Sequence, residues 1–130
     1  KDINEATQDD LIKIYGIGPA LSERILKQKD VLGGFVTMEQ MESIWGLSPE
    51  VIENLNKYFQ VTTIPTVNKI DVNNLSVKEL AKFPYFNYTI AKEIVTYRSM
   101  NNGIHSIEDL TKIKGMPNEK IKIIALYLEF

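Results

Sequence analysis

Displaced by 69 positions, residues 2–61 of the chain lie over residues 71–130 without a gap, and twelve of the 60 pairs are identical. They are Asp2/Asp71, Asn4/Asn73, Leu11/Leu80, Lys13/Lys82, Ile25/Ile94, Gly34/Gly103, Glu39/Glu108, Ile44/Ile113, Gly46/Gly115, Glu50/Glu119, Ile52/Ile121 and Tyr58/Tyr127. Chance at ordinary composition would give about four. Such a period means that one small unit is built twice. The first copy spans 1–61 and the second 70–130. Between them, residues 62–69 are polar, β-branched and interrupted by Pro65, and read as an extended linker.

Hydroxyl residues mark the same helix starts in both copies. Thr7 matches Ser76, and Ser76-Val77-Lys78-Glu79 has the form of a capping box. Thr37 matches Ser106, with Gln40 and Asp109 three residues on. After each cap the apolar residues fall three and four apart. Leu11, Ile14, Ile17, Leu21 and Ile25 form one such series, and Leu80, Phe83, Ile90 and Ile94 its counterpart. The pattern predicts helices over 7–15, 19–29, 38–45 and 49–59, then 76–84, 88–99, 107–114 and 118–128. No stretch alternates with period two for long enough to predict a sheet. The fold class is therefore all-α, two tandem four-helix units.

The segment Gly16-Ile17-Gly18-Pro19-Ala20 says most about chemistry. Gly16 stands where a helix ends and a positive φ is wanted. Pro19 suits the first turn of a new helix, where its missing N–H costs nothing. Ile17 would plug the gap between the two helices. Gly18 has no Cβ to keep a bulky anion from the backbone. The result is a small nest of N–H groups at the positive end of a helix, and a phosphate is its natural guest. A turn that joins two helices and holds no ligand needs the same residues.

Asp2-Ile3-Asn4-Glu5-Ala6-Thr7, Gly16-Ile17-Gly18-Pro19-Ala20, Gly34-Phe35 and the stretch from Met38 to Gly46 together resemble the ComEA-type helix-hairpin-helix domain. The resemblance covers almost the whole chain, once per copy, and implies two helix-hairpin-helix motifs in each. It further implies binding of double-stranded DNA without sequence preference, a role in DNA uptake, and a location outside the inner membrane, exported or membrane-anchored. Carried over onto matching positions, the phosphate contacts fall on Gly16, Ile17, Gly18 and Ala20. In the second hairpin of copy one they fall on Gly46 and Ser48, and in the last hairpin on Lys114, Gly115 and Lys120.

Departures from the family pattern weaken some of these sites. Leu21 and Ser22 stand where the family often has Lys and Ala, and Ser48 replaces a glycine. A Ser there can cap the next helix and offer its hydroxyl to a phosphate. Copy two has Tyr85-Phe86-Asn87-Tyr88 in place of the first glycine hairpin, with Asn87 as the residue that tolerates a left-handed turn. Those three aromatics at a hairpin tip are expected either to dock between the copies or to face a protein partner. In Gly115-Met116-Pro117-Asn118, Pro117 removes a donor.

Charge runs against the glycines. Residues 1–60 hold 6 Lys and Arg against 10 Asp and Glu, whereas residues 61–130 hold 9 against 7. The intact nest lies on the acidic copy, so duplex binding is expected to be weak. Lys112, Lys114, Lys120 and Lys122 form either a nucleic-acid stripe or a solvated helix surface. Trp45, Tyr58 and Tyr127 read as packing residues rather than stacking platforms.

With no Cys, and His105 as its one histidine, the chain lacks the residues for thiolate metal sites and for most zinc or triad chemistry. His105 reads as a loop residue before a helix start. No carboxylate pair is flanked by a second catalytic group, so no enzyme, cofactor or metal is expected. Lys1 opens the chain in place of Met, as in a trimmed chain, so the lack of a leader carries no information on targeting. The competing reading is a scaffold or protein-interaction module whose hairpins have become plain turns.

Overall fold

Helices begin where the hydroxyl caps stand. In the computed structural model, which describes residues 1–130, Thr7 and Asp10 form a reciprocal capping box ahead of α1 (Gln8–Ile12). Ser76 and Glu79 do the same for α4 (Val77–Leu80). Ser106 caps α6 (Ile107–Thr111), and Thr37 with Gln40 opens a 3-10 turn over Met38–Ser43. The longer helices are α2 (Pro19–Leu32), α3 (Pro49–Tyr58) and α5 (Tyr88–Met100), and a 3-10 turn at Asn118–Lys120 leads into α7 (Ile121–Ala125). The chain parts into two units, Lys1–Val67 and Asn68–Phe130.

Five predicted helices are altered, and those over 7–15, 76–84 and 107–114 are α-helical only at Gln8–Ile12, Val77–Leu80 and Ile107–Thr111. Residues 38–45 form the 3-10 turn, and the helix predicted over 118–128 is α only from Ile121 to Ala125. Spacings of three and four suit both kinds of helix over one or two turns, so the apolar pattern does not separate them. The expectation of no sheet also needs correction. Strand β1 (Ile70–Asp71) pairs in parallel with β2 (Leu128–Glu129), and Asp2 bridges Gln60 at the matching place in the first unit. These short ladders tie the lead of each unit to its tail. They stay invisible in the sequence because two residues are too few to show a period.

The same lead explains why Asp and Asn recur. Asn4 Oδ1 accepts from the Phe35 N–H at 2.7 Å while its Nδ2 donates to the Phe35 carbonyl at 2.9 Å. Asn73 makes both bonds to Ile104 at the same two lengths. Asp2 and Asp71 each accept from the backbone of that Asn.

Within each unit a second period of 30 residues relates the two hairpins. The amides of Ile14, Ile44, Phe83 and Ile113 each bond the carbonyl three residues back, at Leu11, Met41, Leu80 and Leu110. Ile17, Leu47, Phe86 and Met116 repeat the pattern three residues further on. All four hairpins therefore share one hydrogen-bond scheme, including the one without glycine, where Tyr85 lacks the positive φ of Gly16, Gly46 and Gly115. Leu11, Ile25, Phe35, Met41 and Leu55 are buried in the core of the first unit. Leu80, Ile94, Ile104, Leu110 and Ile124 are their counterparts in the second.

The aromatic tip is corrected here. Tyr85 and Phe86 are buried, and their rings lie 5.5 Å and 4.8 Å from that of Phe83, so neither faces a partner. The two turn bonds form here without a positive φ at Tyr85, so no glycine is required, and the ring contacts add to the core. Only Tyr88 is exposed, with Lys92 Nζ 4.6 Å above its ring. Asn87 does not take the left-handed conformation; at φ −89° it caps α5. Of the three rings read as packing residues, Tyr127 is buried, but Trp45 is 80% and Tyr58 63% exposed.

Candidate nucleic-acid interface

The four hairpins end in four different helix starts. At the first, Gly18 is extended (φ −104°, ψ −167°), places no side chain over the first turn of α2, and is followed by Pro19. No acidic residue lies in that turn. The N–H groups of Gly18, Ala20 and Leu21 are therefore left for an outside acceptor, as the first turn of any uncapped helix leaves them. A Cβ built on Gly18 would meet nothing within 4 Å, so the space before these donors is open.

Neighbouring residues shape the turn. Ile17 is buried between the helices, and its amide is bonded to the Ile14 carbonyl at 3.0 Å. Ile17 thus positions the nest, and its own N–H is already occupied. Gly16 has φ +95°, and a Cβ there would lie 2.6 Å from Val51 Cγ2. Close approach to α3, together with the left-handed backbone, demands glycine. Leu21, a departure from the family pattern as a side chain, contributes a donor through its backbone.

The second hairpin faces the first across this contact. A Cβ on Gly46 would meet Leu21 Cδ2 at 2.9 Å, just as Gly16 abuts Val51, the third residue of α3. The starts of α2 and α3 are thus neighbours in one unit. They are not equivalent. Ser48 Oγ accepts from the Val51 N–H at 3.3 Å, and Glu50 puts a carboxylate in the first turn. Arg24 donates to the Trp45 carbonyl at 2.6 Å and lies 4.6 Å from the Trp45 ring, so this cation is held at the second hairpin.

The second unit offers less to an anion. Asn87 Oδ1 takes the Ile90 N–H at 2.8 Å and fills its own nest. At the last hairpin Gly115 has φ +85° beside exposed Lys114, but Pro117 lacks an N–H, and the Lys120 amide is bonded to the Pro117 carbonyl. Glu119 sits in that first turn, and the Lys120 residue itself is half-buried. Lys112 and Lys122 are exposed. His105 is an exposed loop residue with a ring nitrogen 2.8 Å from the Asn102 carbonyl.

Carboxylates at the helix starts are held ionised. Asp10 is lowered to about 2, first by the Lys1 ammonium 2.7 Å away and then by the Thr7 N–H. Glu79 and Asp109 are lowered by backbone N–H groups of Ser76 and His105. Sequence reasoning passed over one cluster altogether, the surface formed by Lys13, Tyr15, Lys57 and Tyr58. Its signals were the Lys13/Lys82 and Tyr58/Tyr127 identities, and the second hides opposite environments, one tyrosine exposed and one buried.

Comparison with known proteins places this geometry. The family model described as helix-hairpin-helix motif matches residues 2–60 and again 66–129. Among curated proteins, an endonuclease/exonuclease/phosphatase family domain-containing protein 1 of Danio rerio is 24% identical over 133 residues, covering 88% of the chain and 24% of that protein. The proteins of the same name from Mus musculus and Homo sapiens are 20% and 19% identical over 143 residues, again with 88% of the chain and 25% of the relative. The chain thus spans about a quarter of the length of these relatives. No solved structure matches. No helix is long and apolar enough to cross a membrane. The chain belongs to the helix-hairpin-helix family, with one match over each of its units, and motifs of this family generally bind nucleic acid.

Proposed function

We propose that the first unit is a non-enzymatic module that grips the sugar-phosphate backbone of double-stranded DNA without reading its sequence. One observation carries this reading: of the four helix starts, only that of α2 combines an extended glycine cap, no side-chain cap, no acidic residue and open space before its donors. Backbone N–H groups at a helix start recognise phosphate and are blind to base identity. The adjoining start of α3, with the Ser48 hydroxyl, provides a second and weaker contact. The second unit serves as scaffold, because Asn87 and Pro117 have closed or removed its donors. DNA uptake is one setting for such a grip, and the ComEA resemblance supports it. The endonuclease/exonuclease/phosphatase naming of the relatives supports another, in which a module of this kind holds the DNA for a neighbouring domain.

The competing protein-contact reading loses two of its three tip rings to the core. Titrating two unrelated duplexes at several salt concentrations tests the DNA reading. The expected result is equal affinity for both, with log K falling against log salt by roughly 0.9 for each phosphate neutralised. A strong preference for one sequence, or an affinity indifferent to salt, would contradict it.

A further inference from the structure

The first unit carries an open recess of about 580 Å³ that the phosphate nest does not use. Ile14 and Phe59, both buried, contribute apolar surface to it. Tyr15 and Tyr58 stand at it, exposed as residues to 89% and 63%. Lys1, Asp10, Lys13, Asn54 and Lys57 complete the lining. Neither Lys13 nor Lys57 forms an ion pair; the carboxylate present, Asp10, is paired to Lys1. Three of the first unit's six cationic residues, Lys1, Lys13 and Lys57, meet at this place although the unit as a whole is acidic.

The second unit shows what shape this part of the fold accommodates. Phe83 stands in the place of Ile14, and the fully buried Tyr127, matched to Tyr58, rests its ring 5.9 Å from that of Phe83. An aromatic ring therefore fills in unit two what unit one leaves open. Lys57 and Asn54 are replaced there by Leu126 and Ile123, and Lys1 by Ile70, so two of the three cations go when the space is filled, while Lys13 is kept as Lys82. In the first unit α3 runs on to Tyr58 and directs that ring outward, whereas α7 ends at Ala125 and lets Tyr127 turn in.

We infer that this recess takes an unpaired nucleobase of single-stranded DNA, stacked on Tyr15 or Tyr58, with the flanking phosphates on Lys13 and Lys57. Aromatic faces accept any base, and free lysines beside them hold the strand, the arrangement that single-strand binding surfaces use. Tyr15 immediately precedes Gly16, so the recess continues from the turn that carries the nest. The inference deepens the reading of the first unit as a DNA-binding module, but it rests on different side chains and fails separately.

The test measures binding of the whole chain to three probes at low salt: a blunt duplex, the same duplex with a short thymine overhang, and one whose overhang is abasic. The overhang should bind about tenfold more tightly than the blunt end, and the abasic overhang should lose most of that gain. Tyr15→Ala and Lys57→Leu, both at exposed positions, should each remove most of the gain, and Tyr15→Ala should leave blunt-duplex affinity unchanged. An abasic overhang as good as thymine, or a gain that survives both substitutions, overturns the inference. If the blunt duplex binds with the expected salt dependence and the overhang adds nothing, the recess proposal alone falls. If the blunt duplex does not bind but the overhang does through Tyr15, the recess stands and the nest reading falls.

Discussion

Asn4 pairs both its amide atoms with the backbone of Phe35, a buried residue 31 positions away. Replacing it by Ala would strand a buried donor and acceptor together, at a cost of about 2 kcal/mol or more. Asn4→Ala should therefore lower the unfolding free energy of the first unit by that amount in a denaturant titration, and a change below about 0.5 kcal/mol would refute the role. Asn73→Ala should do the same in the second unit. The residues that recur across the repeat, Asp2, Asn4, Leu11, Ile25 and Gly46 among them, are those that hold the fold, which is why the repeat revealed architecture so readily. Gly18 does not recur, since its partner is Asn87. The site was legible there only through backbone chemistry, the wish for an exposed helix start. The aromatic recess was not legible, because Tyr58 and Tyr127 are the same residue type and their fates are separated by helix length and by neighbours such as Phe83 in place of Ile14.

At the scale of the element, capping explains most of what the sequence foretold and some of what it missed. Each hydroxyl cap fixed a helix start to the residue, while helix type and helix end followed from local bonds that apolar spacing does not encode. The hairpin Tyr85-Phe86-Asn87 kept its two turn bonds without glycine because Tyr85 avoids the positive φ of Gly16, Gly46 and Gly115, and its rings found a core. The capping carboxylates give the starts a pH dependence. Asp10 has its folded value depressed from 3.8 to about 2, chiefly by the Lys1 ammonium with help from the Thr7 amide. A depressed carboxylate contributes stability that is fully present above its unfolded value and is lost as pH falls through the folded one. The start of α1 should thus weaken between about pH 4 and pH 2. An NMR titration of the Asp10 carboxyl should place its midpoint well below 3.8, and unfolding midpoints of Asp10→Asn should vary less over this window than those of the unsubstituted chain. A midpoint for Asp10 near 3.8 would remove the argument.

Taken as a whole, the molecule is one small architecture used twice with different endings. Units of about sixty residues have little surplus stability, and both spend residues on the same devices: an Asp-x-Asn lead, a short parallel tie between lead and tail, and two hairpins related by 30 residues. What differs is how the first helix start is finished. In the first unit it is an open glycine; in the second, Asn87 closes it. The central claim is that the open start is where DNA is held, and the substitution Gly18→Asp separates binding from folding there. Aspartate is among the best helix caps, and Gly18 already has the extended backbone that a cap adopts, with free space for a side chain. The variant should be as stable as the unsubstituted chain or more so, by up to about 1 kcal/mol. Its carboxylate would occupy the donors of the nest and repel a phosphate, so duplex affinity should fall by about tenfold or more. Asn87→Asp, at the matched position of the second unit, should leave affinity within about twofold. The decisive measurement is duplex affinity and unfolding free energy of these two variants side by side. Stability kept and binding lost at position 18 alone is the predicted result; a folded Gly18→Asp protein that binds duplex DNA as before would contradict the account.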